Sequence, residues 1–216
     1  MAIRIVIADD HEMYRKGFDL LLRKQKEIQI VGEAENGLKL LEIIERYNPN
    51  VVITDIQMPV MDGIKACVAI KKLQPDLPVI ALTSYNDDNL IIDMIQAGAS
   101  GYLLKNTTSE ELVNAINVVL SGGPYFSKET FVKIKRMIIE KRLNPNKPHE
   151  QVEFSEYEKE IIILICRGLS SKEVGLKLNR SYRTIEGYKT RILERIGAKN
   201  VINLVVYAIK HKIYNP

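Results

Sequence analysis

Over its first 122 residues the chain alternates short apolar runs with amphipathic stretches, and this alternation limits the possible folds more than any other feature. "IRIVIA" (3–8), "IQIVGEA" (28–34), "NVVITD" (50–55), "LPVIALT" (77–83) and "SGYLLK" (100–105) are short and rich in β-branched residues, so they read as strands. Stretches near 14–25, 37–47, 63–73, 87–97 and 109–120 repeat apolar residues at helical spacing. Strand and helix in succession predict a five-stranded parallel sheet, doubly wound, with helices on both faces. Val51, Val52 and Ile53, with no polar residue between them, have the pattern of a strand buried on both sides. Thr108 with Glu111 forms a capping box for the last helix, and "SGG" at 121–123 ends it.

After this α/β unit the pattern changes. Residues 128–142 read as a helix, and "LNPNKPHEQVE" has two prolines, two asparagines and no apolar period, which places a joint at roughly 143–153. Every later segment reads as helix: about 156–167, 171–178, 182–196 and 200–212. Ser155 with Glu158 and Ser170 with Glu173 are capping boxes, and Gly168 and Gly197 are C-terminal stops. The expected organisation is 1–122, a linker 123–153 with its helix, and a small all-α four-helix unit at 154–216. A length of 216 residues accommodates two such units.

Charge divides the chain the same way. Residues 1–122 hold 12 Lys and Arg against 17 Asp and Glu, whereas 151–216 hold 12 against 7, so the tail is suited to a polyanion. No run approaches the eighteen or so apolar residues of a membrane span, and "MAIRIVIADD" turns acidic too soon for a secretory signal, so a cytoplasmic protein without membrane attachment is expected. Cys67 and Cys166 lie in separate helix-like segments, and with three histidines and no Cys-x-x-Cys pair they suggest buried thiols rather than a disulfide or zinc site.

The acids of the first unit sit where strands stop. Asp9 and Asp10 end the first strand, Asp55 ends the third, and Lys105 follows the fifth. In a sheet of order 2-1-3-4-5 the first and third strands are neighbours at the switch point, so these groups converge. Three carboxylates in one crevice repel unless a cation joins them, and hard oxygen ligands with room for waters suit Mg²⁺. A cation there also allows a phosphoryl group to approach the carboxylate left free to attack it.

"IADDH", "DIQMPVMDG", "ALTS" and "GYLLK", in this order and at these separations, resemble the receiver domain of two-component response regulators over about residues 3–121. The resemblance implies that Asp55 accepts a phosphoryl group from a histidine kinase, with Asp9, Asp10, Asp55 and the backbone carbonyl of Gln57 around Mg²⁺. It further implies that Thr83 and Lys105 grip the phosphoryl oxygens while Tyr102 acts as an aromatic switch. Asn106 departs from the proline that many receivers have after the lysine. Phosphatases of the haloacid-dehalogenase type carry a second aspartate two residues after the nucleophile; here that position is Gln57, so a phospho-aspartate should turn over slowly. The chain is therefore expected to be a switch rather than an enzyme.

The tail, from "FSEYEKE" to "RIGAKN", is similar to the LuxR-type helix-turn-helix found as the output of NarL-class regulators, through "GLSSKEVGLKL" and "RTIEGYKTRILERIGAKN". Tyr188 stands where histidine is common in that family. In the third helix of the tail, Ile185, Tyr188, Ile192 and Ile196 share one side and should face the core, leaving Arg183, Glu186, Gly187, Thr190 and Arg191 outward. By resemblance Glu186, Gly187 and Thr190 look at base edges, while Lys172, Arg183, Lys189 and Arg191 bind phosphates, with Thr184 among the DNA contacts. Gly187 costs the helix about 1 kcal/mol and calls for a reason, such as close approach to a groove.

The expectation is a transcriptional regulator in which phosphorylation of Asp55 promotes homodimerisation and binding to an inverted or direct repeat of double-stranded DNA. The alternative is a phospho-switched adaptor whose helical tail binds a protein partner. In the last helix Val201, Leu204, Val205, Ala208 and Ile209 recur at helical spacing, an apolar face of which part could pair with its copy.

Overall fold

The computed structural model describes residues 2–84, 87–139, 152–198 and 201–215. Most of the expected joint at 143–153 lies outside them.

The strands are β1 (Ile3–Ala8), β2 (Ile28–Ala34), β3 (Val51–Asp55), β4 (Val79–Thr83) and β5 (Gly101–Leu104), all paired in parallel, with a sixth, β6 (Tyr125–Phe126), beside β5. The sheet order is β2-β1-β3-β4-β5-β6. The expected five strands are thus six. A two-residue strand has no period to detect, and β6 exists only because the turn after residue 120 brings Tyr125 opposite Gly101.

The helices α1 (Glu12–Leu22), α2 (Gly37–Tyr47), α3 (Gly63–Leu73), α4 (Asp88–Ala97) and α5 (Ser109–Leu120) alternate with the strands. Side chains alternate along each strand. Ile5, Ile7, Val51, Ile53, Ile80 and Leu82 therefore pack with Phe18 and Leu22 of α1 and Leu112, Ala115 and Ile116 of α5. On the other face Val6, Ala8, Val52 and Ala81 meet α2, α3 and α4. Helix α1 begins at Glu12, two residues before the predicted start, with His11 as its cap. At α5 only half of the expected capping box forms. Thr108 accepts from the Glu111 N–H at 3.2 Å, but the Glu111 carboxylate turns to the Thr107 hydroxyl at 2.8 Å.

The linker helix α6 (Lys128–Ile139) lies on the first unit, with Ile134 and Met137 entering the core beside α4. Helices α7 (Glu156–Cys166), α8 (Ser171–Lys177), α9 (Tyr182–Arg195) and α10 (Val201–Lys210) enclose a separate core around Ile161, Ile165, Val174, Ile185, Ile192 and Leu204. Both capping boxes of this unit are complete, and Gly168 and Gly197 adopt the left-handed conformation at helix ends. Gly175 lets α8 approach the turn that follows it, since a Cβ there would come within 2.7 Å of the Arg180 carbonyl oxygen. Most of the apolar face of α10 is covered within the chain: Leu204, Val205 and Ala208 complete the second core and Val206 joins the first, while Val201 and Ile209 are partly buried. Among the described residues no helix is long and apolar enough to cross a membrane.

Candidate functional site

The register Ala8↔Thr54 makes Asp9 and Asp55 the next residues on adjacent strands, at the carboxyl edge of the sheet. Lys105 arrives from the end of β5. Its Nζ lies 2.7 Å from Asp9 Oδ2 and 2.6 Å from Asp55 Oδ2, and its side chain is 5 % exposed. The other oxygen of Asp55, Oδ1, accepts from the Ile56 N–H at 2.6 Å. Burial pushes the Asp55 carboxyl above its ordinary range, and neighbouring Asp9 adds to this against the opposing pull of Lys105. Removing the carboxylate from water costs more than the nearby ammonium returns, which is the physical sense of that direction. Burial opposes the charge on Lys105 too, but its bond to Asp55 and its pairing with Asp9 outweigh this and raise its pKa.

Gly63 keeps the wall of this pocket close: it donates to the Ile56 carbonyl at 2.9 Å, and a Cβ on it would collide with the Asp55 carbonyl. Thr83 is buried at the end of β4, and the hydroxyl of Tyr102 is hydrogen-bonded to it, with the Tyr102 ring turned inward at 1 % exposure. Gln57 is exposed, and its N–H points to Asp55 Oδ1 at 3.4 Å. Asp10 stands half-open at the rim, its Oδ1 2.8 Å from His11 Nδ1.

These donors fit a hard divalent cation. Ligand atoms of Asp9, Asp10 and His11 lie within 4.8 Å of one another, and Asp9 Oδ2, fully buried, has the Lys105 charge nearby but no directed hydrogen bond. A buried carboxylate oxygen left short of donors is a natural cation ligand. Three neighbours of the pocket escape the sequence reading: His11, Tyr14, whose ring lies over Lys105, and Arg15, which donates to the Asp9 carbonyl at 2.7 Å. The early start of α1 brings them there, and only "DDH" hinted at it.

In the second unit Ile185, Ile192 and Ile196 are fully buried on α9 and Tyr188 is partly so, while Arg183, Thr184, Gly187, Thr190 and Arg191 are exposed, as is Lys172 on α8. Arg191 is braced by its bond to the Gly187 carbonyl at 3.2 Å and its stacking on the Tyr188 ring. The Thr184 hydroxyl pairs with that of Ser181 in the helix cap. Nothing lies within 4 Å of a Cβ built on Gly187, so the fold itself supplies no reason for that glycine. Lys189 differs from its neighbours. It is 8 % exposed, paired with Glu186 at 2.7 Å, and set against Gly122 of the first unit, where the Ser171 N–H also donates to the Ser121 carbonyl at 3.3 Å. Burial pushes both cysteine thiols up to about 12, so neither is ionised at neutral pH.

Residues 5–117 match the response regulator receiver domain, and residues 152–208 match the bacterial regulatory proteins of the luxR family. The transcriptional regulatory protein YdfI of Bacillus subtilis is 34 % identical, over 97 % of each chain. The oxygen regulatory protein NreC of Staphylococcus carnosus is 33 % identical over 98 % of this chain and 99 % of its own. Among solved structures, two RcsB dimers bound to two parallel DNAs superpose with a TM-score of 0.59 at 26 % identity, covering 97 % of this chain and 99 % of that one. With its acids, lysine and threonine gathered at the sheet edge and a basic helix-turn-helix behind them, the chain belongs to the two-component response regulators that carry a LuxR-type DNA-binding domain.

Proposed function

We propose that Asp55 accepts a phosphoryl group from a histidine kinase and that this modification releases the output helices to dimerise on promoter DNA. The observation that carries the reading is Lys105 bridging Asp9 and Asp55 at 2.7 and 2.6 Å in a buried pocket. In the transfer a carboxylate oxygen of Asp55 forms the bond to phosphorus as the donor's bond to it breaks. Lys105 moves with the new negative charge, and the Thr83 hydroxyl stands at the next strand end to donate to a phosphoryl oxygen. Asp9, Asp10 and the Gln57 carbonyl would hold Mg²⁺, which when bound neutralises the pocket for an anionic donor. With Gln57 in place of a second acid, self-dephosphorylation is slow.

In this reading residues 1–122 are the receiver, 123–153 the linker and 154–216 the DNA-binding unit of a cytoplasmic protein. Lys172, Arg183, Lys189 and Arg191 contact phosphates, and Glu186, Gly187 and Thr190, with Thr184 nearby, face the groove. The seat of Lys189 and Glu186 on Gly122 supports a closed resting state, since both residues must leave the receiver to reach DNA. The DNA-bound dimers of RcsB support a dimer on repeated half-sites.

Acetyl phosphate with Mg²⁺ should add one phosphoryl group to the intact mass. Asp55→Asn and EDTA should each abolish the gain, and sedimentation should show monomers becoming dimers. An undiminished gain in Asp55→Asn would overturn the assignment.

A further inference from the structure

Lys105 has a third partner besides its two carboxylates. Its Nζ lies 4.2 Å from the centroid of the Tyr14 ring, within the range of a cation–π contact. Tyr14 sits in the first turn of α1, its N–H bonded to the His11 carbonyl at 3.1 Å, so the turn that follows the acids of β1 carries the ring across to β5. His11 meets that ring edge-on, at 5.9 Å between centroids and 86° between planes, and is itself held by Asp10 at 2.8 Å. The ammonium is thus enclosed by Asp9, Asp55 and an aromatic face, and the face is braced from the metal-binding side of the pocket.

We infer that Tyr14 is a positioning residue for phosphoryl transfer, its ring holding Lys105 over the reacting carboxylate. The physical reason lies in how a ring face differs from a hydrogen-bond acceptor. An ammonium has three N–H groups; here one donates to Asp55 Oδ2 at 2.6 Å, and Asp9 Oδ2 lies 2.7 Å away as an ion pair. A third oxygen partner would fix the nitrogen to one spot, and water there would screen its charge. A ring attracts the cation with little directional demand and excludes water. Lys105 can then shift from Asp55 Oδ2 to a phosphoryl oxygen while keeping Asp9 and Tyr14. The 39 % exposure of Tyr14 places it at the mouth of the pocket, where replacement leaves the core intact.

The inference rests on Asp55 being the phosphoryl acceptor, and the test separates the two claims. The full-length chain, with Tyr14→Phe and Tyr14→Leu variants, would be labelled by acetyl phosphate with Mg²⁺ and followed by intact mass. The ε-methylene protons of Lys105 would be located by NMR in parallel. Tyr14→Phe should label within about twofold of the unchanged chain, whereas Tyr14→Leu, which covers the site without a π face, should label about threefold to tenfold more slowly. The ring-current shift of the Lys105 protons should persist in the Phe variant and vanish in the Leu variant. Equal labelling rates for Leu and the unchanged chain would overturn the inference, as would a Phe variant as slow as Leu. If the unchanged chain took no label at Asp55, the phosphoryl-acceptor reading would fail instead. The ring-current comparison would then decide alone whether Tyr14 holds the lysine.

Discussion

Lys189 of α9 presses on Gly122 of the receiver: its Nζ stands 2.5 Å from the point a Cβ on Gly122 would occupy, while its charge is met by Glu186 at 2.7 Å. A residue expected to bind DNA phosphate is therefore held against the chain's own receiver. Gly122→Ala should wedge this contact apart. Because Gly122 has φ +76°, alanine also strains the backbone there. Gly168→Ala is the control, with φ +84° and open space around the added methyl. The unphosphorylated Gly122→Ala chain should bind DNA several-fold more tightly than the Gly168→Ala chain by fluorescence anisotropy. Equal affinities would mean that the contact does not restrain α9.

Gly187 separates folding from binding. With nothing within 4 Å of a Cβ there, Gly187→Ala should stabilise the output unit by about 1 kcal/mol in urea denaturation. The same change should weaken DNA binding, because in the proposed reading the methyl stands where backbone and groove approach. A more stable variant with unchanged DNA affinity would remove the groove as the reason for this glycine.

Arg191 and Thr190 are adjacent and exposed but should act differently. Arg191, braced on Tyr188, is suited to a phosphate. Arg191→Ala should lower affinity about equally on all sequences and flatten the salt dependence by roughly one unit. Thr190→Ala should relax preference at one base pair by about 1–3 kcal/mol with the salt slope unchanged. Binding to a randomised site library at several salt concentrations reads both.

The capping boxes give the output unit an acid-sensitive limb. Glu173 accepts from the Ser170 N–H at 2.8 Å and lies 2.7 Å from its hydroxyl, and these bonds hold its carboxyl below the ordinary 4.5. At Glu158 burial works the other way, but the bonds from Ser155 and the charge of Arg195 outweigh it. A lowered folded-state pKa contributes stability that is complete above the unfolded-state value and lost as pH falls through the folded-state one. Thermal melts should therefore show the output unit losing stability below about pH 4.5. Glu173→Gln, which keeps an acceptor but no charge, should flatten part of that loss and lower stability at pH 7 by about the part it removes.

Local patterns in the chain are enough to place its elements and to bring the charged groups of the pocket to one edge of the sheet. Helix and strand periods are local, so β1 to β5 and the ten described helices stand close to where the patterns put them, with α1 displaced the furthest, starting two residues early. Asp9, Asp55 and Lys105 converge because parallel strands all end on one edge of the sheet, a consequence of topology that needs no knowledge of side-chain packing. Packing settles what no local period encodes. Strand β6 has two residues, too few to leave a pattern, and forms only because Tyr125 is brought beside Gly101. Glu111 abandons its capping box for the Thr107 hydroxyl, a competition between near-equal hydrogen bonds that spacing cannot settle. Leu204, Val205, Val206 and Ala208 of α10 are taken up by the two cores of the chain, while Val201 and Ile209 remain partly buried, a division that helical spacing cannot assign. Tyr14 over Lys105 and Lys189 under Gly122 join residues 91 and 67 positions apart, and such pairs are fixed only when the surfaces that carry them are packed together.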